Sequence, residues 1–314
     1  MDIATIASKK ACAGSGDGVN TGKKGCLSLF GTPTHLMGVS SAYEIPANTV
    51  FDISFLTTAV QNGTIVPLID ASGFEDVSAE DGYSTNSKGI KRFNLPGLPE
   101  YRLMFEEGHE FYREMDKLKG YKNYNWILGD ESGNWMLVKR ANGAFAGFTG
   151  GHTTPELTSR KVEGGDAESK SLLIQFLNRL EWDRNYEILH IENLDFIPQE
   201  VPVIHGVELS FDGGAPAATD TTFTIKAVLA SDRSTPVTGL IVDDFYYTVN
   251  GTEVVPSGIT ETATPGIYEF TVAAVSAAEE LLVDTQDASA NSRVALNNGN
   301  LYRAVELAEA TVVA

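Results

Sequence analysis

The sequence predicts a mainly β protein of two domains: an N-terminal antiparallel β-sandwich or barrel carrying one packed helix, then a second β-sandwich. Three observations carry this. Short apolar runs alternate with polar residues at period two through most of the 314 residues. Turn dipeptides separate them, notably Asn142-Gly143, Asn250-Gly251 and Pro265-Gly266. The strongest helical stripe is confined to residues 109–119.

In chain order, residues 1–24 are small, polar and rich in glycine, and read as a flexible N-terminal arm that orders against a neighbour. The first domain is expected over 25–197. Strands flank the Gly31-Thr32-Pro33 turn, with Leu27 and Leu29 before it and Leu36, Met37 and Val39 after it. Residues 50–62 read as a helix through Phe55, Leu56, Ala59 and Val60, stopped by Gly63. Ile65–Ile69 reads as a strand, and Pro67 places it at an edge because proline donates no ladder hydrogen bond. Residues 71–88 are polar and read as a long loop available for contacts. Tyr101–Phe105 alternates as a strand.

Helix 109–119 sets Phe111, Tyr112, Met115 and Leu118 on one face, with Gly120 as a left-handed stop. Two hairpins follow: Tyr124–Leu128 with Trp135–Val138, and Trp135–Val138 with Ala144–Phe148 through Asn142-Gly143. A polar loop at 162–168 leads to Leu172–Trp182, where period two fits over the longer span and Asn178 interrupts the apolar face. Trp126, Trp135 and Trp182 all fall in strand-like runs and are expected in the core.

Pro198 and Pro202 mark a linker at 198–204. The second domain, 205–314, has about seven candidate strands at regular spacing. Val207, Leu209 and Phe211 form one inward set; Phe223, Ile225, Ala227 and Leu229 another; Phe245, Tyr247 and Val249 a third; Tyr268, Phe270 and Val272 a fourth. That pattern, and Thr264-Pro265-Gly266-Ile267-Tyr268-Glu269-Phe270-Thr271-Val272 within it, resembles bacterial and phage immunoglobulin-like domains. The Cys…Trp…Cys of antibody domains is absent.

Charge narrows the functional classes. The net charge is −19, from 23 basic and 42 acidic residues. Residues 201–314 hold four basic and fifteen acidic residues (−11), leaving 19 and 27 (−8) for residues 1–200. A field of that sign opposes specific nucleic-acid binding. Cys12 and Cys26 are the only cysteines, and two free thiols are favoured over one bridge. Met1-Asp2-Ile3-Ala4 does not begin a signal peptide and no run of about 18 apolar residues occurs, so synthesis in a cytoplasm as a soluble protein is expected.

No constellation of residues predicts catalysis, and no catalytic, cofactor-binding or metal-binding residue is assigned; no cofactor is expected. Residues 16–24 fail as a phosphate loop because Asp17 replaces the required glycine and Lys24 the magnesium-binding hydroxyl. His109-Glu110 opens like a metalloprotease helix, but Arg113 stands where the second histidine belongs. His35, His152, His190 and His205 are scattered. Asp243-Asp244 and Glu279-Glu280 read as solvated pairs, and the sequons Asn62-Gly63-Thr64 and Asn250-Gly251-Thr252 as turns.

A strand-rich first domain without reactive clusters, with an acidic immunoglobulin-like domain appended, resembles the tail tube proteins of long-tailed bacteriophages. The stretch from Cys12 to Cys26, with Asn20-Thr21-Gly22 inside it, resembles the start of phage structural proteins. The resemblance implies a non-enzymatic virion protein, a homo-oligomer of hexameric rings stacked into a viral tail tube. DNA would pass through without specific binding, other virion proteins would be partners, and the second domain would decorate the exterior with weak host-surface contact. It implies no membrane insertion. The alternatives are a capsid decoration or neck-ring protein and, in another class, a carbohydrate-binding adhesin with the immunoglobulin-like domain as spacer. An enzyme would need His109 or His152 beside carboxylates in a deep pocket.

Overall fold

The computed structural model describes residues 1–9, 30–156, 168–287 and 292–314. Cys12, Cys26, Leu27, Leu29, the stretch 16–24 and residues 162–167 therefore lie outside the described residues. The chain divides into two units, and both are β structures.

The first unit comprises Met1–Leu56 and Thr64–Val201. It opens with α1 (Ile3–Ser8), which corrects the expected flexible arm at its start. Asp2 caps this helix by accepting from Thr5 N at 2.8 Å, and Ile3 and Ile6 are buried. Glycine content dominated the reading of residues 1–24, yet the first eight residues carry their own cap and two core anchors.

β1 (Pro33–Ser40), α2 (Ile53–Gln61) and β2 (Ile65–Leu68) follow as expected, with Gly63 at φ +68° behind the helix. β2 pairs with β1 alone among the described residues, so Pro67 sits on an edge strand. The expected long loop at 71–88 is corrected. It contains β3 (Gly73–Asp76) and β4 (Gly82–Thr85), and β4 forms a two-stranded hairpin with β5 (Lys91–Leu95). The β4–β5 hairpin carries no apolar alternation because neither of its faces is buried, so the period-two signal had nothing to register there.

β6 (Glu100–Phe105) buries Leu103 and Phe105. α3 (His109–Asp116) buries Tyr112 and Met115, and Leu118 just beyond it is buried too. Gly120 is not the left-handed stop; it begins β7 (Gly120–Tyr121), and the positive φ of this turn falls on Lys122. A Cβ at Gly120 would lie 2.0 Å from the Asn123 side-chain nitrogen, so that amide would have to move aside.

β8 (Tyr124–Asp130), β9 (Trp135–Lys139), β10 (Phe145–Ala146) and β11 (Phe148–Pro155) form the predicted hairpins, with Gly143 at φ +87° in the second turn. β12 (Lys170–Phe176) ends earlier than expected. Asn178 caps a short helix, α4 (Arg179–Asp183), accepting from Leu180 N at 3.2 Å. The residue that interrupted the alternation is thus the boundary between two elements. β13 (Tyr186–Leu189) completes the unit's sheet.

β8 pairs with β1 along its whole length, and its other edge is shared between β9 and β11. That branch joins two groups of strands into one sheet. Their inner faces share a core of Leu36, Trp126, Leu128 and Val138 from one group and Leu103, Phe105, Phe148, Leu172 and Phe176 from the other, with Met115 from α3. Each such side chain contributes about 1.5–3 kcal/mol by leaving water. Lys170 is buried and ties β12 to the helix, pairing with Asp116 at 2.6 Å and donating to the Tyr112 carbonyl at 3.1 Å. The expected linker at 198–204 is packed rather than bare: Pro198–Glu200 forms a 3-10 turn, and Pro198 and Val201 are buried.

The second unit comprises Thr57–Gly63 and Pro202–Ala314. The short segment joins through Gln61, whose Nε2 donates to the Val294 carbonyl at 2.8 Å and whose carbonyl accepts from Ser292 Oγ at 2.7 Å. Among the described residues there are ten strands where about seven were expected: β14 (Ile204–Asp212), β15 (Thr222–Leu229), β16 (Phe245–Val249), β17 (Thr252–Glu253), β18 (Gly258–Glu261), β19 (Ile267–Thr271), β20 (Glu280–Thr285), β21 (Ala295–Asn297), β22 (Asn300–Glu306) and β23 (Ala308–Thr311). A six-stranded sheet in the order β18-β19-β15-β14-β22-β21 faces a four-stranded sheet, β17-β16-β20-β23. Phe223, Tyr268 and Phe270 from the first meet Phe245, Tyr247 and Val283 from the second in one core. Tyr268 keeps its hydroxyl satisfied there, donating to the Val237 carbonyl at 2.7 Å and accepting from Leu240 N at 3.2 Å.

Candidate functional site

The histidines weighed from sequence do not converge. His109 is 69% exposed and stands 3.6 Å from Glu168. His152 packs on the Tyr121 ring at 4.7 Å, and His205 on Tyr302 at 5.9 Å. His190 is buried. Asp244 is buried and accepts from Ile241 N at 2.9 Å, while its neighbour Asp243 is exposed. Burial holds the Asp244 carboxyl above its usual value.

His35 is 3% exposed, and its Nδ1 accepts the Asp70 backbone N–H at 3.0 Å. A nitrogen that accepts carries no proton, so the 3.6 Å approach of Asp70 is not an ion pair at neutral pH. Burial pushes this imidazole below its ordinary value, outweighing the opposing pull of Asp70 and Asp130. The folded state therefore binds this proton less readily than the unfolded chain. Stability from this group is complete above the ordinary histidine pKa of about 6.5 and falls as pH drops through the lower folded value. His35→Asn keeps an acceptor near the Nδ1 position and removes the titration. Urea midpoints read by tryptophan fluorescence should converge for variant and wild type as pH falls from 7 to 5.

The geometry that does bring functional groups together lies at the base of the β4–β5 hairpin. Asp81 Oδ1 accepts Gly97 N at 2.8 Å and closes the loop that the hairpin springs from. Gly97 runs so close to the preceding segment that a Cβ would stand 1.9 Å from the Ala79 carbonyl. Arg179, from α4, also donates to Asp81, and its Nε lies 3.7 Å from Asp183. Three hydrogen bonds hold the Asp81 carboxyl below its usual range: that from Arg179 most, then the Gly97 N–H, with a smaller part from the Tyr83 hydroxyl.

α4 is oriented from beneath. Glu181 is 1% exposed and accepts from Arg140, from Thr149 N at 2.7 Å and from Thr149 Oγ1 at 2.7 Å. Trp182 stacks on Phe148 at 4.1 Å and meets Tyr101 edge-on at 5.2 Å. With Glu181 inward, Arg179 and Asp183 are left facing outward one turn apart. The result is a groove of about 300 Å³ bounded by Ser78, Asp81, Gly97, Arg179, Trp182 and Asp183. A second groove, of about 290 Å³, has Lys139, Arg140, Arg184 and Glu187 on its walls. Neither contains a histidine.

The hairpin itself is turned by Asn86, whose Oδ1 accepts Lys88 N at 3.0 Å and Ile90 N at 2.9 Å, with Gly89 at φ +76°. Tyr83 and Phe93 are cross-strand partners. Their rings lie 5.9 Å apart edge to face, 56% and 55% exposed. With Ile90, 57% exposed at the turn, the two rings make the hairpin's apolar surface. Trp126 and Trp135 by contrast are fully buried, as expected, and Trp182 is half-buried. Sequence reasoning missed Asp81, Tyr83, Phe93, Arg179 and Asp183. The signal available was two aromatics flanking Asn86-Ser87-Lys88-Gly89, a turn motif between otherwise polar strands.

No family model matches the chain, and no curated protein matches it. Among solved structures it is similar to the Bacteroides ovatus mixed-linkage glucan utilization locus protein SGBP-B, in complex with a mixed-linkage heptasaccharide. Identity is 9%, coverage is 79% of this chain and 62% of that one, and the TM-score is 0.19. This chain thus spans under two thirds of the similar protein's length. That structure is of a glycan-bound protein and lends the expected tail tube no support, and the tail-tube reading is corrected. Two supports for the tube have also gone: the start of the arm folds into its own unit as α1, and the bridging loop at 71–88 holds strands. At a TM-score of 0.19 the likeness carries no argument for what this chain binds.

Proposed function

We propose that this chain is a carbohydrate-binding protein without catalytic activity, and that its site is the Tyr83–Phe93 face with the groove at its foot. The exposed aromatic pair carries the reading. A sugar ring presents C–H groups on its faces, which pack on aromatic surfaces, and hydroxyls at its edges, which need acceptors and planar donors. Tyr83 and Phe93 supply the first. Asp81, Asp183 and Arg179 supply the second in the adjoining groove. The second unit would serve as a spacer.

Binding rather than hydrolysis fits the charges. Glycoside cleavage ordinarily uses one carboxylic acid kept protonated by a raised pKa. Asp81 is shifted the opposite way, and Arg179 contacts both carboxylates.

Affinity electrophoresis of the full chain against a panel of soluble polysaccharides tests the reading. At least one should retard it. The double variant Tyr83→Ala/Phe93→Ala should then bind about tenfold or more weakly, since one lost aromatic anchor costs more than ~1 kcal/mol. Its urea midpoint should stay within experimental error of wild type, because exposed side chains contribute little to stability. Failure to bind any polysaccharide, or undiminished binding by the variant, would sink the assignment.

A further inference from the structure

We propose that the glycan bound at this face is anionic, and that Lys91 reads its charge; this rests on the carbohydrate-binding reading above. Strand alternation and the Thr85↔Lys91 and Tyr83↔Phe93 registers put Tyr83, Thr85, Lys91 and Phe93 on one face of the hairpin. The Lys91 Cα thus lies two residues from that of Phe93, roughly 7 Å along the strand. Residues 82–95 hold Lys88, Lys91 and Arg92 and no acidic residue, within a chain of net charge −19. All three side chains are exposed, and among the described residues none is in an ion pair.

A cluster of unpaired cations on so acidic a chain confers nothing on an uncharged ligand. It matters for a polyanion. Charges are screened beyond about 8 Å at physiological salt, so the hairpin's local +3 outweighs the distant negative surface for a ligand held against it. At the hairpin's foot Asp81 and Asp183 are both engaged by Arg179, and the exposed Glu80 sets one charge against the three cations. Those carboxylates accept hydrogen bonds from ring hydroxyls, which a polysaccharide offers at every residue and a DNA backbone does not. This favours a polysaccharide over a nucleic acid as the polyanion.

The test compares the full chain's affinity for polygalacturonate, dextran sulfate, neutral dextran and mixed-linkage glucan, with single-stranded DNA and phosphatidylserine vesicles alongside. The expected result is binding of an anionic polysaccharide at least tenfold tighter than any neutral one, weakening as salt rises from 50 to 200 mM. Polygalacturonate and dextran sulfate separate a carboxylate ligand from a sulfated one. Lys91→Gln should lose about fivefold on the anionic ligand and leave any neutral binding unchanged, whereas Tyr83→Ala should weaken both. Equal binding of neutral glycans, indifferent to Lys91→Gln, overturns the charge inference and leaves the glycan-binding reading standing. Absence of binding to every polysaccharide overturns both. Binding to DNA or vesicles as tight as to the anionic polysaccharide overturns the inference in favour of those partners.

Discussion

Glu181→Ala is expected to destabilise the first unit by about 3 kcal/mol, the lower part of the range for breaking a buried pair. The carboxylate is 1% exposed and satisfies three donors: the Arg140 guanidinium, Thr149 N and Thr149 Oγ1. Removing it leaves a backbone N–H and a guanidinium facing an apolar methyl. Arg140 is 23% exposed and recovers part of its hydration, which keeps the loss from the upper end. All three tryptophans lie in this unit, so a urea titration followed by tryptophan fluorescence reads it selectively. The change should reach function too, since α4 carries Arg179, Trp182 and Asp183 of the groove. Glycan affinity should fall under conditions where the protein is still folded. An unchanged midpoint would mean that α4 is held by Trp182 packing alone.

Phe270→Ala should cost the second unit about 3–5 kcal/mol, the usual toll of emptying a buried aromatic site. The ring is fully buried, stacks on Phe223 at 5.1 Å and meets Phe245 edge-on at 5.1 Å, so it joins side chains from both sheets. Backbone amides of β15 and β19 should lose hydrogen-exchange protection. Tryptophan fluorescence, reporting on the first unit, should give a nearly unchanged urea midpoint. Retained protection in β15 and β19 would show that neighbouring side chains collapse into the space.

The sequence made some elements plain and concealed others, and the difference is physical. α2 and β6 were legible because burial of one face imposes a periodic apolar pattern, and β1, β8 and β9, buried on both faces, because they are short apolar runs bounded by turn residues. Asn142-Gly143 and Asn250-Gly251 were legible because left-handed turns restrict residue type; Asn250, Gly143 and Gly251 all have positive φ. The β4–β5 hairpin was not, because both its faces meet water and nothing selects alternation there. α4 was hidden by length: five residues do not complete two turns, so the alternation of β12 read straight through it.

Sequence was therefore sufficient for the mainly β class and for four inward-facing sets of residues in the C-terminal part. Patterns of burial are local and repeat along the chain. It could not reach the candidate site. Asp81 meets Arg179 across 98 residues, and Tyr83 meets Phe93 across a turn with no apolar signature. Such contacts depend on how β6 and β12 bring distant segments alongside one another, a long-range pairing that leaves no period in the sequence. Nor could sequence separate a binding face from a solvated one. Tyr83 and Phe93 become informative only once the fold leaves both rings exposed and side by side.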